Sequence, residues 1–307
     1  MKFINETNID FLAKRKPAFV ASILIIVTGI VFTIMSGGPN YSIDFLGGAE
    51  LTARFSDDAP IGEIRSSLSS AGYESPEVKL YGNPSDVLIR VEQQGVGVNS
   101  GDAIMNHLKK NFASLNPVKL SVDEVGPKIG REMRGQVLWA IFFALALILV
   151  YIWIRFELVF GVGAIIALFH DISITFGVFA ILGFELSISV IAAFLTIVGY
   201  SLNDTIVIFD RIRENVKKMR REEFENILNI SINQSLSRTI VTSMTTFIVV
   251  LVLYLFGGEV LKNFSFALLV GVIVGTYSSI FVATPVVAGW HKYEAQKNDK
   301  RPSKKRK

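Results

Sequence analysis

Residues 195–215 read LTIVGYSLNDTIVIFDRIREN, an apolar run with an acid inside it. Asp204 sits among Ile197, Val198, Leu202, Ile206, Val207, Ile208 and Phe209, and the segment ends in charge at Asp210, Arg211, Arg213 and Glu214. The nearest upstream turn signal is Gly183-Phe184-Glu185. A helix from Leu186 that closed at Val198 would hold 13 residues, whereas a bilayer core needs about 20. The span therefore runs on through Phe209. That places Asp204 in the hydrocarbon zone, on the order of 8 Å inside the Phe209 end. An ionised carboxylate at that depth costs roughly a few kcal/mol or more, so it should face protein and mark function. Thr196, Tyr200, Asn203 and Asp204 fall at helical spacing, which predicts polar company for the acid on one face. The competing reading is that Asn203-Asp204 caps a break in the helix.

The whole chain supports a membrane setting. It has 307 residues, 50% of them hydrophobic, with mean hydropathy +0.45. The apolar residues are gathered in long runs, as expected of an integral membrane protein. The net charge is +4, and for such a protein the placement of the basic residues matters more than their sum. There is no cysteine, which excludes a disulfide framework, a thiolate metal site and a cysteine nucleophile.

Read in order, the chain predicts a cytoplasmic leader over 1–16 that ends in Lys14-Arg15-Lys16, then a transmembrane helix over 17–35. A signal peptide would have a shorter apolar core, and no A-x-A-like site stands near Ser36. Residues 36–135 are polar. Strands are expected at Glu50–Phe55, Glu77–Tyr81, Val87–Glu92 and Val118–Asp123, with helices at Ile61–Ala71 and Gly101–Phe112. Turns are expected at Gly82-Asn83-Pro84 and Gly95–Gly101. The order β-α-β-β-α-β is that of a ferredoxin-like α+β domain. Its lone His107 reads as a helix-surface residue. Residues 136–290 hold five further spans, with a polar connection over 210–238, and 291–307 form a basic tail. Basic residues flank the first span, cluster in Arg211–Arg238 and fill the tail. The positive-inside rule puts both termini in the cytoplasm and the α+β domain outside. The expected fold is thus a multi-pass six-helix bundle with one extracytoplasmic domain between helices 1 and 2.

Three places interrupt the apolar runs. Asp204 is the first. His170-Asp171, midway along the third span, is the second. A His-Asp pair there reads equally as a proton relay, since histidine changes charge near neutral pH, or as a fixed link between helices. The third is Arg238, with Thr242, Thr245 and Thr246 continuing its face. Arginine keeps its proton, but as a movable counter-ion it would decide whether a nearby acid is ionised. The alternative is a helix anchor at the head groups. Gly271, Gly275 and Ser279 form a small-residue row that permits close helix approach. No G-x-x-x-x-G-K-[ST] motif is present. Any work would therefore draw on another subunit or on an ion gradient, at about 2.3 kcal/mol per charge per 100 mV.

Six stretches occur in a characteristic order: Ile43–Gly48 (IDFLGG), Gly126–Gly130 (GPKIG), Ala167–Asp171 (ALFHD), Gly199–Asn215, Ser237-Arg238-Thr239 and Gly275–Ser279 (GTYSS). With them the chain resembles the SecF family of bacterial protein-export membrane subunits over essentially its whole length. The resemblance implies a SecD partner and a likeness to the resistance-nodulation-division transporters, which join two six-helix halves. It implies action beside the SecYEG channel and the SecA motor, with YidC and YajC as further neighbours. The proton-motive force would help draw preproteins across the cytoplasmic membrane. Asp204 and Arg238 match the family's membrane aspartate and arginine, and a second aspartate lies in SecD. Leu46 stands where the family often has threonine. No enzymatic activity, cofactor, metal or nucleic-acid partner is implied. Two rival readings are half of a proton-coupled exporter of small solutes or lipids, and a non-conducting scaffold subunit of the translocase. Fold likeness alone does not separate them.

Overall fold

The computed structural model describes residues 7–91 and 100–299. Most of the turn expected at Gly95–Gly101, the end of the third expected strand and the last part of the basic tail lie outside the described residues. Six helices are long and apolar enough to cross a membrane, and a small α+β domain follows the first of them.

Helix α1 (Arg15–Met35) is prefaced by a 3-10 turn at Leu12–Lys14. The domain begins with a one-turn helix, α2 (Ile43–Leu46), which the sequence pattern had not separated from a loop. Strand β1 (Gly48–Arg54), helix α3 (Ile61–Ser70), strands β2 (Glu77–Tyr81) and β3 (Asn83–Val91), helix α4 (Ser100–Asn111) and strand β4 (Val118–Val125) complete it. The sheet is antiparallel in the order β2-β3-β1-β4, the ferredoxin-like arrangement expected. Strand β3 starts four residues before the expected Val87. The reversal is made at Gly82 alone, at φ +79°. Asn83-Pro84 then falls in an irregular stretch of the β2–β3 ladder, where no proline N–H is needed. Leu51, Ile89, Ile64, Leu68, Ile104 and Leu108 are fully buried between the sheet and its helices. His107 lies on α4, within 2.7 Å of the Ser67 hydroxyl.

The remaining helices are α5 (Pro127–Arg155), α6 (Leu158–Leu182), α7 (Ile188–Lys218), α8 (Phe224–Phe256) and α9 (Gly258–Ser278), with a π-helical turn at Ser279–Ala283 leading into α10 (Thr284–Asp299). Two boundaries differ from expectation. Helix α5 starts at Pro127, because Pro at the first helical position is already set for a helix, so the GPKIG stretch is a helix start. Helices α7 and α8 also run beyond their apolar stretches into the charged segment between them. Most of 210–238 is therefore helical, and only residues 219–223 connect the two.

Helix α7 is the bundle centre, packed by α6, α8 and α9, and α1 lies against α6. Close approach is set by missing side chains. A Cβ on Gly29 of α1 would come within 2.4 Å of Gly177 of α6. On Gly271 it would meet Ile197 at 2.2 Å, and on Gly275 it would meet Ser201 at 3.0 Å. Helix α5 is peripheral, with Trp139, Phe142 and Phe143 clustered and exposed on its flank.

Candidate functional site

Two carboxylates lie inside the bundle, and their surroundings differ. Asp171 of α6 is 1% exposed. One oxygen lies 2.9 Å from His170 Nδ1. The other accepts from Ser201 Oγ of α7 at 2.5 Å and from Ser278 Oγ of α9 at 2.8 Å. His170 Nε2 lies 2.9 Å from Ser22 Oγ of α1. The Ser22 hydroxyl is also 3.1 Å from Tyr277 OH, which donates to the Ala18 carbonyl at 2.6 Å. The Tyr277 ring stacks on His170. One network thus joins α1, α6, α7 and α9 and uses both carboxylate oxygens and both imidazole nitrogens.

Asp204 of α7 is 2% exposed. It is 16 residues from Ile188 and 14 from Lys218, so at ~1.5 Å per residue it lies near the helix midpoint. One of its oxygens accepts two long hydrogen bonds, from Ser243 Oγ of α8 at 3.2 Å and Thr276 Oγ1 of α9 at 3.3 Å. Ser243 and Thr276 are 2.6 Å apart. The Tyr200 hydroxyl is buried in the same cluster, beside Ser243, Thr246 and Thr276. Asp204 forms no ion pair among the described residues.

The structure brings together only some of the residues picked from sequence. Tyr200 is beside the acid. Thr196 and Asn203 are not: both are exposed on the bundle surface, and Thr196 donates to its own Ala192 carbonyl at 2.8 Å. Helical spacing put these residues on one broad face, but α8 and α9 cover only part of it. Arg238 also points outward, as an exposed residue of α8, and acts on Asp204 only as a nearby charge. Thr242 is half-buried, and its carbonyl accepts from Thr245 and Thr246. Gly271, Gly275 and Ser279 all abut α7, the last through a 2.9 Å bond to Thr205. The asparagine-capped break is absent, since α7 is continuous through Asn203 and Asp204.

Sequence reading missed Ser201, Ser243, Thr276 and Ser278. Single hydroxyl residues are common in membrane helices, and only the crossing of α7, α8 and α9 makes them partners. It also missed the clamp between the domain and the bundle. Asp44 of the IDFLGG stretch accepts the Ile188 N–H at 2.9 Å, capping the start of α7. Leu186 exchanges backbone hydrogen bonds with Asn40 and Ser42. Arg90 of β3 pairs with Glu50, Glu77 and Glu185, the last from the α6–α7 turn. Burial works to raise the Glu185 pKa, but the Arg90 bond and charge overcome it and hold the carboxyl below its usual range. Gly47 and Gly48 have φ of +79° and +141°, and a Cβ on Gly48 would lie 2.5 Å from the Val91 carbonyl oxygen. The two glycines are what the clamp's tight fold requires.

A family model described as "Protein export membrane protein SecD/SecF, C-terminal" matches residues 104–293. The protein translocase subunit SecF of Thermodesulfovibrio yellowstonii is 44% identical over 291 residues, or 94% of this chain and 96% of the relative. The chain belongs to the SecF family of protein translocase subunits. The SecF of Haemophilus influenzae is 42% identical, covering 90% of this chain and 84% of that protein. The crystal structure of SecDF, a translocon-associated membrane protein from Thermus thermophilus, matches with a TM-score of 0.84 at 36% identity. The match covers 94% of this chain and 39% of that one, so this chain spans about two-fifths of the solved SecDF. It is a multi-pass membrane protein of that family.

Proposed function

We propose that this chain is the SecF half of a proton-coupled complex that promotes preprotein export across the bacterial cytoplasmic membrane. The remaining length of SecDF corresponds to a SecD-like partner. The termini would be cytoplasmic and the α+β domain extracytoplasmic. SecYEG and SecA would be functional neighbours, with YidC and YajC nearby. The chain would do no covalent chemistry.

One observation carries the reading: Asp204 is buried inside the helix bundle yet, among the described residues, held by only two long hydroxyl bonds. A carboxylate in low dielectric is expensive when charged and unpaired. Such a group takes up a proton unless an opposite charge approaches. Arg238 is exposed on this chain's own surface, the position from which a charge would face a partner half and be moved by it. Approach of Arg238 would favour the ionised acid and its withdrawal the protonated one. A shift of α7 would pass along a continuous helix to its capped start at Ile188, where Asp44 and Glu185 join it to the domain. Proton passage at Asp204 would thereby move the domain against emerging polypeptide.

The test is preprotein export into inside-out vesicles carrying the complete translocase, with and without a membrane potential. Asp204→Asn is expected to abolish the stimulation by the potential while leaving ATP-driven export intact. Full stimulation in the variant would contradict the proposal.

A further inference from the structure

Ser231, Ser235, Thr239 and Ser243 recur at every fourth residue on the inner side of α8. The first three are buried, at 0%, 4% and 1% exposure. The two ends of the series are tied to α7. Asn215 Nδ2 donates to Ser231 Oγ at 2.9 Å, and Ser243 Oγ donates to Asp204 at 3.2 Å. The series therefore starts near the end of α7 remote from the domain and finishes on the membrane acid.

The middle members differ from the ends. A serine or threonine in a helix usually bonds to the carbonyl one turn back. Ser231 does so, to Ile227 at 2.7 Å, and Thr246 does so, to Thr242 at 3.1 Å. Ser235 Oγ and Thr239 Oγ1 do not. Both are buried and have no hydrogen-bond partner among the described residues. Between Thr205 and Asn215, the buried side chains of α7 are Ile208, Phe209 and Ile212, which offer no polar atom. Four residues of helix rise by about 6 Å. One water, bonded at about 2.8 Å on each side, spans that gap. A hydroxyl both donates and accepts, so hydroxyls at this spacing with water between them form a chain able to pass a proton.

We infer that Ser231, Ser235, Thr239 and Ser243 line a hydrated proton route joining Asp204 to the membrane face remote from the α+β domain. The inference rests on the proposed role of Asp204 and adds the path by which its proton comes or goes. Asp204 and Tyr200 stand at one end of the route, and Arg238 lies on the exposed side of the same helix.

The chain has no cysteine of its own, which makes water access directly readable. Ser235→Cys, Thr239→Cys and, as a dry comparison, Leu236→Cys would be made in the full chain, assembled with its SecD-like partner in oriented vesicles. Silver ion, a thiol-reactive cation close to the size of a water molecule, applied from the cytoplasmic side should modify the first two at least tenfold faster than the third. Equal rates at all three would overturn the route. Flux supplies a second arm, with Ser235→Ala/Thr239→Val set beside Asp204→Asn. The route requires at least a tenfold loss in the double variant. Wild-type flux in the double variant with no flux in Asp204→Asn would remove the route and leave the role of Asp204 standing. Wild-type flux in Asp204→Asn would remove both.

Discussion

Asp171 and Asp204 are both acids in the middle of a membrane bundle, and both are nearly inaccessible. Asp171 is held by a histidine and two serines from three helices, and its neighbour His170 reaches a fourth. Asp204 has two hydroxyl contacts at the long limit of hydrogen bonding. Burial is therefore common to both acids, and the completeness of the hydrogen-bond shell is what sets them apart; on the proposed function, the sparse shell belongs to the working carboxylate. A filled shell fixes helices and resists a change of charge, because its donors would be left unpaired. A sparse shell leaves the charge state to be set by whatever moves nearby.

The contrast can be broken by substitution. Asp171→Ala removes the carboxylate partner of Ser201 and of His170 Nδ1 in the core and leaves Ser278 only the Gly275 carbonyl, and removing one partner of a buried network costs about 3–5 kcal/mol. Thermal unfolding in detergent should show a large fall in Tm, and a near-normal Tm would mean the hub is dispensable. Gly271→Val comes next. Its added carbons must displace Ile197, already 2.2 Å from a Cβ, at about 1–3 kcal/mol for overpacking, read by the same unfolding measurement. Glu185→Gln removes a hydrogen-bonded charge from the clamp, worth roughly 1–2 kcal/mol. Because the folded-state pKa of Glu185 is depressed, the clamp's contribution is complete above the ordinary carboxylate range. It disappears as pH falls through the depressed value. Protease sensitivity of the domain-to-bundle junction should rise on acidification in the wild type and change less in the variant. Asp204→Asn should have the smallest effect on stability, within about 1 kcal/mol, since a sparsely bonded buried carboxyl that takes up a proton when no opposite charge is near is replaced by a neutral group of like shape. A loss matching that of Asp171→Ala would erase the distinction between the two acids.

Much of this architecture was legible in residue order alone. Hydropathy and length place all six spans, because lipid permits little else. Period-two and period-3.6 patterns give the four strands and two helices of the domain. Asp204 is visible because an acid within LNDTIVIF has few innocent explanations. The partners of each acid were not legible. Ser243 and Thr276 lie 39 and 72 positions from Asp204; Thr276 stands in the GTYSS stretch, but nothing in the residue order pairs either hydroxyl with the acid. Asn203 shows the converse error, since adjacency in sequence and helical phase put it beside the acid while neighbouring helices leave it outside. The IDFLGG stretch was legible as a motif, but its work as a cap on a helix about 140 residues away is a property of the packed chain.

The most direct test is proton flux through the complex of this chain with its SecD-like partner in liposomes under an imposed pH gradient and membrane potential. Wild type and Asp204→Asn would be compared at equal, verified assembly. The account predicts flux in the wild type and none above the protein-free background in the variant. Equal flux in both would contradict it, and would show that Asp204 is not the group through which the proton passes.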